Sequence, residues 1–232
     1  MQVLYFMRCK NVFMQNFRHY LLRKIEVMEI SYFEEIKRKL VHLSSLWMVA
    51  VTLLFAGHQW ILCVVFLFLL LLTLVSEHDY ANGGKYLGRL YGILFGKMLR
   101  AEVKKGQWIV SGGAPVLAAA LLMNLLFAPW IAAAALAVML TGDAAAALIG
   151  RKFGRHKTVN GKSLEGFAAF IIAGFIALSA VLALCGLSFY GRGLLAVIVA
   201  ALAELFQKQL IVDDNFSIPL CVGLVLYFSC CF

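Results

Sequence analysis

The sequence predicts an all-α, polytopic integral membrane protein of about seven transmembrane helices, and three observations carry that prediction. The chain of 232 residues is 63% hydrophobic and 14% charged, with a mean hydropathy of +0.89, whereas a soluble domain is about half apolar and a quarter charged. Its apolar residues gather into long runs, and its 21 Lys and Arg gather between them. The composition excludes a disordered chain, a soluble enzyme built on one core, and a nucleic-acid-binding domain, whose basic excess would cover a polar surface. No nucleic-acid partner is expected; the lipid bilayer is.

The basic residues set the topology. Eight precede the first apolar run, six lie between Lys85 and Lys105, and five lie between Arg151 and Lys162, leaving only Arg192 and Lys208. By the positive-inside rule all three clusters face the cytoplasm, so an even number of crossings separates each from the next. Residues 43–56 and 60–75 form a pair around Gly57-His58-Gln59, and residues 114–127 and 130–147 form a second around Ala128-Pro129. After the third cluster come 167–184, 194–210 and 218–232. Seven crossings follow, with the N-terminus inside and the C-terminus outside. Several runs fall short of the roughly 20 residues of a perpendicular span, so one of them could be re-entrant. Residues 86–99 are apolar but interrupted by Arg89 and Lys97, which predicts an amphipathic helix on the cytoplasmic surface.

The remaining segments are simpler. Residues 1–33 form a basic N-terminal segment that lacks the apolar core and cleavage site of a signal peptide. It can lie on the membrane as an amphipathic helix, and Met28 is an alternative start. Residues 34–232 form one polytopic membrane domain. The six Cys show no metal-type spacing and read as packing residues. Glu77-His78-Asp79 reads as a solvated turn, His58 as an outer-loop residue, and Trp47, Trp60, Trp108 and Trp130 as interfacial aromatics.

Candidate functional residues are the charges that a membrane chain carries at a cost. Asp143, Glu165, Glu204, Asp213 and Asp214 lie in or at the ends of apolar runs, where an unpaired charge costs at least about 3 kcal/mol. Each could pair with a Lys or Arg and merely orient its helix, but five at one predicted face suggest a site. The richest segment is 142–166. Gly142, Ala146 and Gly150 share one helical stripe, open to the close approach of a backbone or a flat ligand. A loop follows with Arg151, Lys152, Gly154, Arg155, His156, Lys157 and Lys162, and then Ser163, Glu165 and Gly166 open the next helix. Cationic side chains, glycines and a helix N-terminus are the parts of a phosphate site; a positive-inside loop without further role is the alternative.

A phosphate site beside carboxylates suggests Mg²⁺, which takes one or two carboxylates with phosphates and water. Asp143 and the Asp213-Asp214-Asn215 cluster are the candidate ligands, with one of the two neighbouring Asp on the metal and the other elsewhere. Asp214, Asn215 or Ser217 could equally cap the last helix.

These residues carry a resemblance. Glu35 with Arg38, Lys39 and His42, then Gly142-Asp143, Ala146, Gly150, Gly154, Lys162-Ser163 and Glu165-Gly166, then Glu204 with Asp213-Asp214-Asn215 and Pro219, are together similar to the CTP-dependent lipid and polyprenol kinases, which comprise dolichol kinase, phytol kinase and CTP-dependent diacylglycerol kinase. The resemblance covers residues 35–219 and implies CTP as phosphoryl donor, Mg²⁺ as cofactor and a membrane lipid alcohol, an isoprenoid alcohol or diacylglycerol, as acceptor; the basic clusters put the site at the cytoplasmic face. It implies a nucleotide site of Gly142, Gly150, Arg151, Gly154, Arg155, Lys162, Ser163, Glu165 and Gly166.

Phosphoryl transfer asks a protein chiefly to position reactants and neutralise charge. Lys162 with Arg151 or Arg155 would hold phosphates, and Asp143 with Asp213 or Asp214 would hold the metal. Asp214 or Glu204 could accept the hydroxyl proton, with His42 less favoured. Glu35, Arg38, Lys39 and His42 could contact a phosphate or the lipid head, or anchor the first helix at the interface. The related phosphatidate cytidylyltransferases are the alternative, and a transporter is the third reading. Transporters tend to carry charges near mid-membrane in pseudo-repeats, whereas here the charges collect at one predicted face.

Overall fold

The computed structural model describes residues 32–84, 87–95, 113–158, 160–188, 190–210 and 213–231. Most of the N-terminal segment, with Met28 and Cys9, lies outside them, as do Lys85, Trp108 and the polar stretch 96–112. The chain divides into two units, 1–35 and 36–232. Of the first, residues 32–35 are described and belong to a helix that begins there.

Among the described residues every regular element is helical, apart from an isolated antiparallel bridge between Lys157 and Ser163. In chain order the α-helices are α1 (Tyr32–Ser44), α2 (Trp47–Leu54), α3 (Gln59–Ala81), α4 (Leu87–Phe95), α5 (Gly113–Leu126), α6 (Pro129–Phe153), α7 (Leu164–Leu184), α8 (Tyr190–Leu205), α9 (Gln207–Leu210) and α10 (Asp214–Cys231). Three are long and apolar enough to cross a membrane: α3 with the 3-10 turn before it, α6 and α7, at 26, 25 and 21 residues. At about 1.5 Å per residue each matches a hydrocarbon core about 30 Å thick. The other predicted runs form shorter helices, the first of them only the eight residues of α2.

The centre is α6. Pro129 occupies its first turn, where a missing N–H costs no hydrogen bond. From Ile131 to Leu140 every residue is buried, and a helix apolar all round belongs in an interior. Five of those residues are alanines, so neighbours approach closely on every side. Helices α2, α5, α7, α8 and α10 pack around it, α7 most extensively. By contrast α3 turns Val64, Phe68, Leu71 and Val75 outward, and α7 turns Ile172 and Ile176 outward, as lipid-facing helices do.

Several sequence boundaries move. The run 60–75 continues to Ala81, so Glu77-His78-Asp79 is helix and not a solvated turn. Glu77 is buried and accepts a hydrogen bond from the Tyr91 hydroxyl at 3.1 Å, while Asp79 accepts from the Gly88 amide at 2.7 Å. Apolar packing of α4 against the end of α3 outweighs the local polarity of the tripeptide. Of the helix predicted over 86–99, residues 87–95 form α4, packed on α3, and residues 86 and 96–99 lie outside the described residues. The run 130–147 continues to Phe153, which puts Arg151 and Lys152 in the last turn of α6 and not in a loop. Cations there face the negative end of the helix dipole.

Candidate functional site

Five segments bring charged side chains within reach of one another. These are α1, the middle of α6, the connection from α6 to α7, the last turn of α8 and the first turn of α10. The deepest contact joins Lys39 of α1 to Asp143 of α6, Nζ to Oδ2 at 2.5 Å, with side chains 7% and 14% exposed. His42, one turn after Lys39, places Nε2 3.4 Å from the same oxygen without a hydrogen bond. Burial holds the His42 imidazole below its ordinary pKa, opposed by the Asp143 carboxylate and reinforced by Lys39 and Arg38. Lys39 is therefore the cation in contact with Asp143, and Arg38 adds positive potential from farther away. Asp143 stands ten residues before the end of α6, about 15 Å along the axis, so this pair lies well inside the packing.

A second pair lies nearer the helix ends. Lys162 Nζ meets Glu204 Oε1 at 2.5 Å and also donates to the Glu204 backbone carbonyl and, at 3.4 Å, to Gln207 Oε1. Asp143 and Lys39 are within electrostatic reach of both Glu204 and Asp214. The three separated sequence blocks therefore meet in space, although Lys39 and Asp143 are 104 residues apart.

The α6–α7 connection is tied by backbone hydrogen bonds. Leu164 N donates to His156 O at 2.9 Å, Thr158 N to Lys162 O at 2.7 Å, and Gly161 N to Thr158 O at 3.0 Å. Gly161 has φ +75°, the left-handed conformation that favours glycine. Glu165 accepts from the His156 amide at 3.2 Å and lies 2.8 Å from His156 Nδ1. Asn160 fastens the hairpin to the opposite helices, donating to Leu205 O at 2.7 Å and exchanging two 2.8 Å hydrogen bonds with Gln209. Ser163 is the N-cap of α7, accepting from Gly166 N at 3.1 Å.

The glycine stripe has a partner. A Cβ at Gly142 would lie 2.9 Å from the buried Phe170 ring, one at Gly150 3.0 Å from Ser163 Oγ, one at Gly166 2.9 Å from Ala146 O, and one at Gly154 would enter the Gly150 carbonyl. Of the two occupants the stripe allows, a backbone or a flat ligand, it is the backbone of α7 that approaches. Arg151 and Arg155 are exposed. Glu35, in the first turn of α1, is buried.

Asp213 and Asp214 take different parts. Asp213 is exposed, and its Oδ1 accepts from Asn215 N at 2.9 Å and Asn215 Nδ2 at 2.6 Å. It therefore caps α10, a role the sequence assigns to Asp214, Asn215 or Ser217. The cap falls one residue earlier because Asp214 is already helical. Asp214 is half-buried and is the one left to face Asp143 electrostatically. Among the described residues no group of three or more His, Cys, Asp or Glu forms an all-protein metal cage. The donor set fits a hard cation held by one or two carboxylates and completed by phosphate and water. Asp143 and Asp214 are the residues that would hold it, since one Asp213 oxygen is engaged by the cap.

Sequence reading passed over Asn160, Gln207 and Gln209 as partners. Neutral amides in a polar segment carry no pattern, and only their hydrogen bonds reveal them.

No family model matches the chain, and no solved structure does. Among curated proteins the chain is similar to the uncharacterized protein RP860 of Rickettsia prowazekii (strain Madrid E), 29% identical over 189 residues that span 80% of this chain and 90% of that protein.

Proposed function

We propose that the protein is a CTP-dependent kinase that phosphorylates the hydroxyl of a membrane lipid, an isoprenoid alcohol or diacylglycerol, at the cytoplasmic face. The observation that supports this reading is the pairing of Lys39 with Asp143 and of Lys162 with Glu204, with Asp214 in electrostatic reach of Asp143 and Lys39. Cations for phosphates and carboxylates for a divalent metal are what phosphoryl transfer needs. In this reading all seven apolar runs cross or enter the membrane, with the N-terminus and the basic hairpin inside, in keeping with the basic clusters.

Lys162, freed from Glu204, and the exposed Arg155 and Arg151 would hold the nucleotide phosphates. Asp143 and Asp214 would hold Mg²⁺, which supplies charge neutralisation for the transferred group. Glu204, released by Lys162, or Asp214 would accept the proton as the acceptor oxygen bonds to the terminal phosphorus. The bond from that phosphorus to the bridging oxygen breaks, and CDP leaves. The lipid tail remains among the helices, so the reacting oxygen alone needs to reach the polar end.

CTP labelled separately at its terminal and innermost phosphorus tests the reading in membranes supplied with phytol, a polyprenol and diacylglycerol. Terminal label in a lipid product, with CDP released, is the expected result. Innermost label in the lipid, with pyrophosphate released, would instead mark a cytidylyltransferase. Label in neither product removes both enzymatic readings.

A further inference from the structure

One carboxylate in the site has two claimants. Asp143 would be a metal ligand in a kinase, yet Lys39 already occupies its Oδ2 at 2.5 Å, with the two side chains 7% and 14% exposed. A cation arriving alone at Asp143 must displace Lys39 from Oδ2 or share the carboxylate with it through Oδ1. Either way the ammonium sits nearly buried beside a dication, with Arg38 adding positive potential and little solvent to take up its charge. Such an unpaired buried cation is strongly disfavoured. A phosphate arriving with the metal changes the balance, because it offers Lys39 an anionic partner at hydrogen-bond distance.

We propose that Lys39 is a place-holding cation at Asp143, so that the divalent metal and a polyphosphate enter this site together and the metal alone does not. The inference rests on the kinase reading for the identity of both ligands. The exchange moves no proton: the contact of Lys39 Nζ with Asp143 Oδ2 opens, Lys39 pairs with a phosphate oxygen, and Asp143 passes to the metal. The other pair supplies a contrast within the molecule. Lys162 is 28% exposed and also held by the Glu204 carbonyl and Gln207, so solvent and these groups can receive its charge when it leaves the carboxylate. Lys39 is thus the side chain whose displacement carries the larger obstacle.

The test uses the full chain in lipid nanodiscs with Mn²⁺ as the probe, its free signal followed by electron paramagnetic resonance without nucleotide. Wild type and Lys39→Arg should bind Mn²⁺ weakly. Lys39→Met, which removes the competing charge and keeps the side-chain length, should bind it about tenfold more tightly or better, the order of effect of one contact charge. Lys162→Met should stay near wild type. In a second measurement, labelled CTP should bind wild type more tightly with Mn²⁺ than with a chelator. Mn²⁺ bound as tightly by wild type as by Lys39→Met overturns the proposal. So does tight binding of Mn²⁺ alone to wild type, whether or not the Met variant folds. The two readings fail separately. Terminal label reaching lipid while wild type holds Mn²⁺ unaided removes only the place-holder, and the expected Mn²⁺ pattern without label transfer removes only the kinase.

Discussion

At the scale of single residues, the site consists of charges whose cost inside a membrane protein is offset by pairing. Lys39 with Asp143 and Lys162 with Glu204 each bring a cation against a carboxylate at 2.5 Å. Removing one member of such a pair leaves the other unpaired, which in a buried pair costs about 3–5 kcal/mol. Substitutions that keep a hydrogen-bonding atom therefore separate chemistry from folding better than alanine. On the kinase reading proposed above, Asp143→Asn, Lys162→Gln and Asp214→Asn should each lower turnover by about a hundredfold or more, as expected for charges acting chiefly on the transition state. Elution as a monodisperse species should be unchanged. Turnover measured with saturating CTP and acceptor checks this, and wild-type turnover in any variant removes that residue from its role.

At the scale of elements, close packing of α7 on α6 positions the hairpin that carries Lys162. Gly166 is where α7 meets the backbone of α6: its added Cβ would lie 2.9 Å from Ala146 O and 3.2 Å from Gly150 Cα, neither of which can rotate away. Gly166→Ala should therefore push the helices apart and lower stability by about 1–3 kcal/mol, the usual range for overpacking. Gly191→Ala in α8 has nothing within 4 Å of the new Cβ and should stay within about 0.5 kcal/mol. Thermal unfolding of both variants in one detergent reads the difference, and equal midpoints would show that the α6–α7 contact is not rigid. The sequence pattern of Gly142, Ala146 and Gly150 marks a close approach, but periodicity on one helix does not say what approaches. The answer lies on another helix, in Phe170, Ser163 and Gly166.

At the scale of the whole molecule, the positive-inside rule predicts an orientation with the basic hairpin in the cytoplasm. On a Cys-free background, a single Cys in place of Lys157, exposed in the hairpin, should react with a membrane-impermeant thiol reagent only after cells are opened. One in place of His58, exposed in the turn before α3, should react in intact cells. Outside labelling at Lys157 would reverse the face assigned to the site and leave the acceptor hydroxyl on the side away from cytoplasmic CTP.

The sequence by itself determined the helical class, the apolar runs that become helices, and which charged residues lie in or beside those runs. Each of these depends on composition or on short-range periodicity, which a linear string contains. Tertiary structure alone decided which cation meets which carboxylate, because Lys39 and Asp143 are 104 residues apart and other basic side chains in the string were equal candidates. It also decided where the helices end. Glu77 is polar enough to signal a turn, but the α3–α4 contact buries it against Tyr91. The Arg151-Lys152 pair signals a loop, but the chain stays helical to Phe153 because α7 packs along the last turns of α6. Which side of a helix is covered depends on a neighbour distant in sequence, so local pattern names the polar residues and packing assigns their partners.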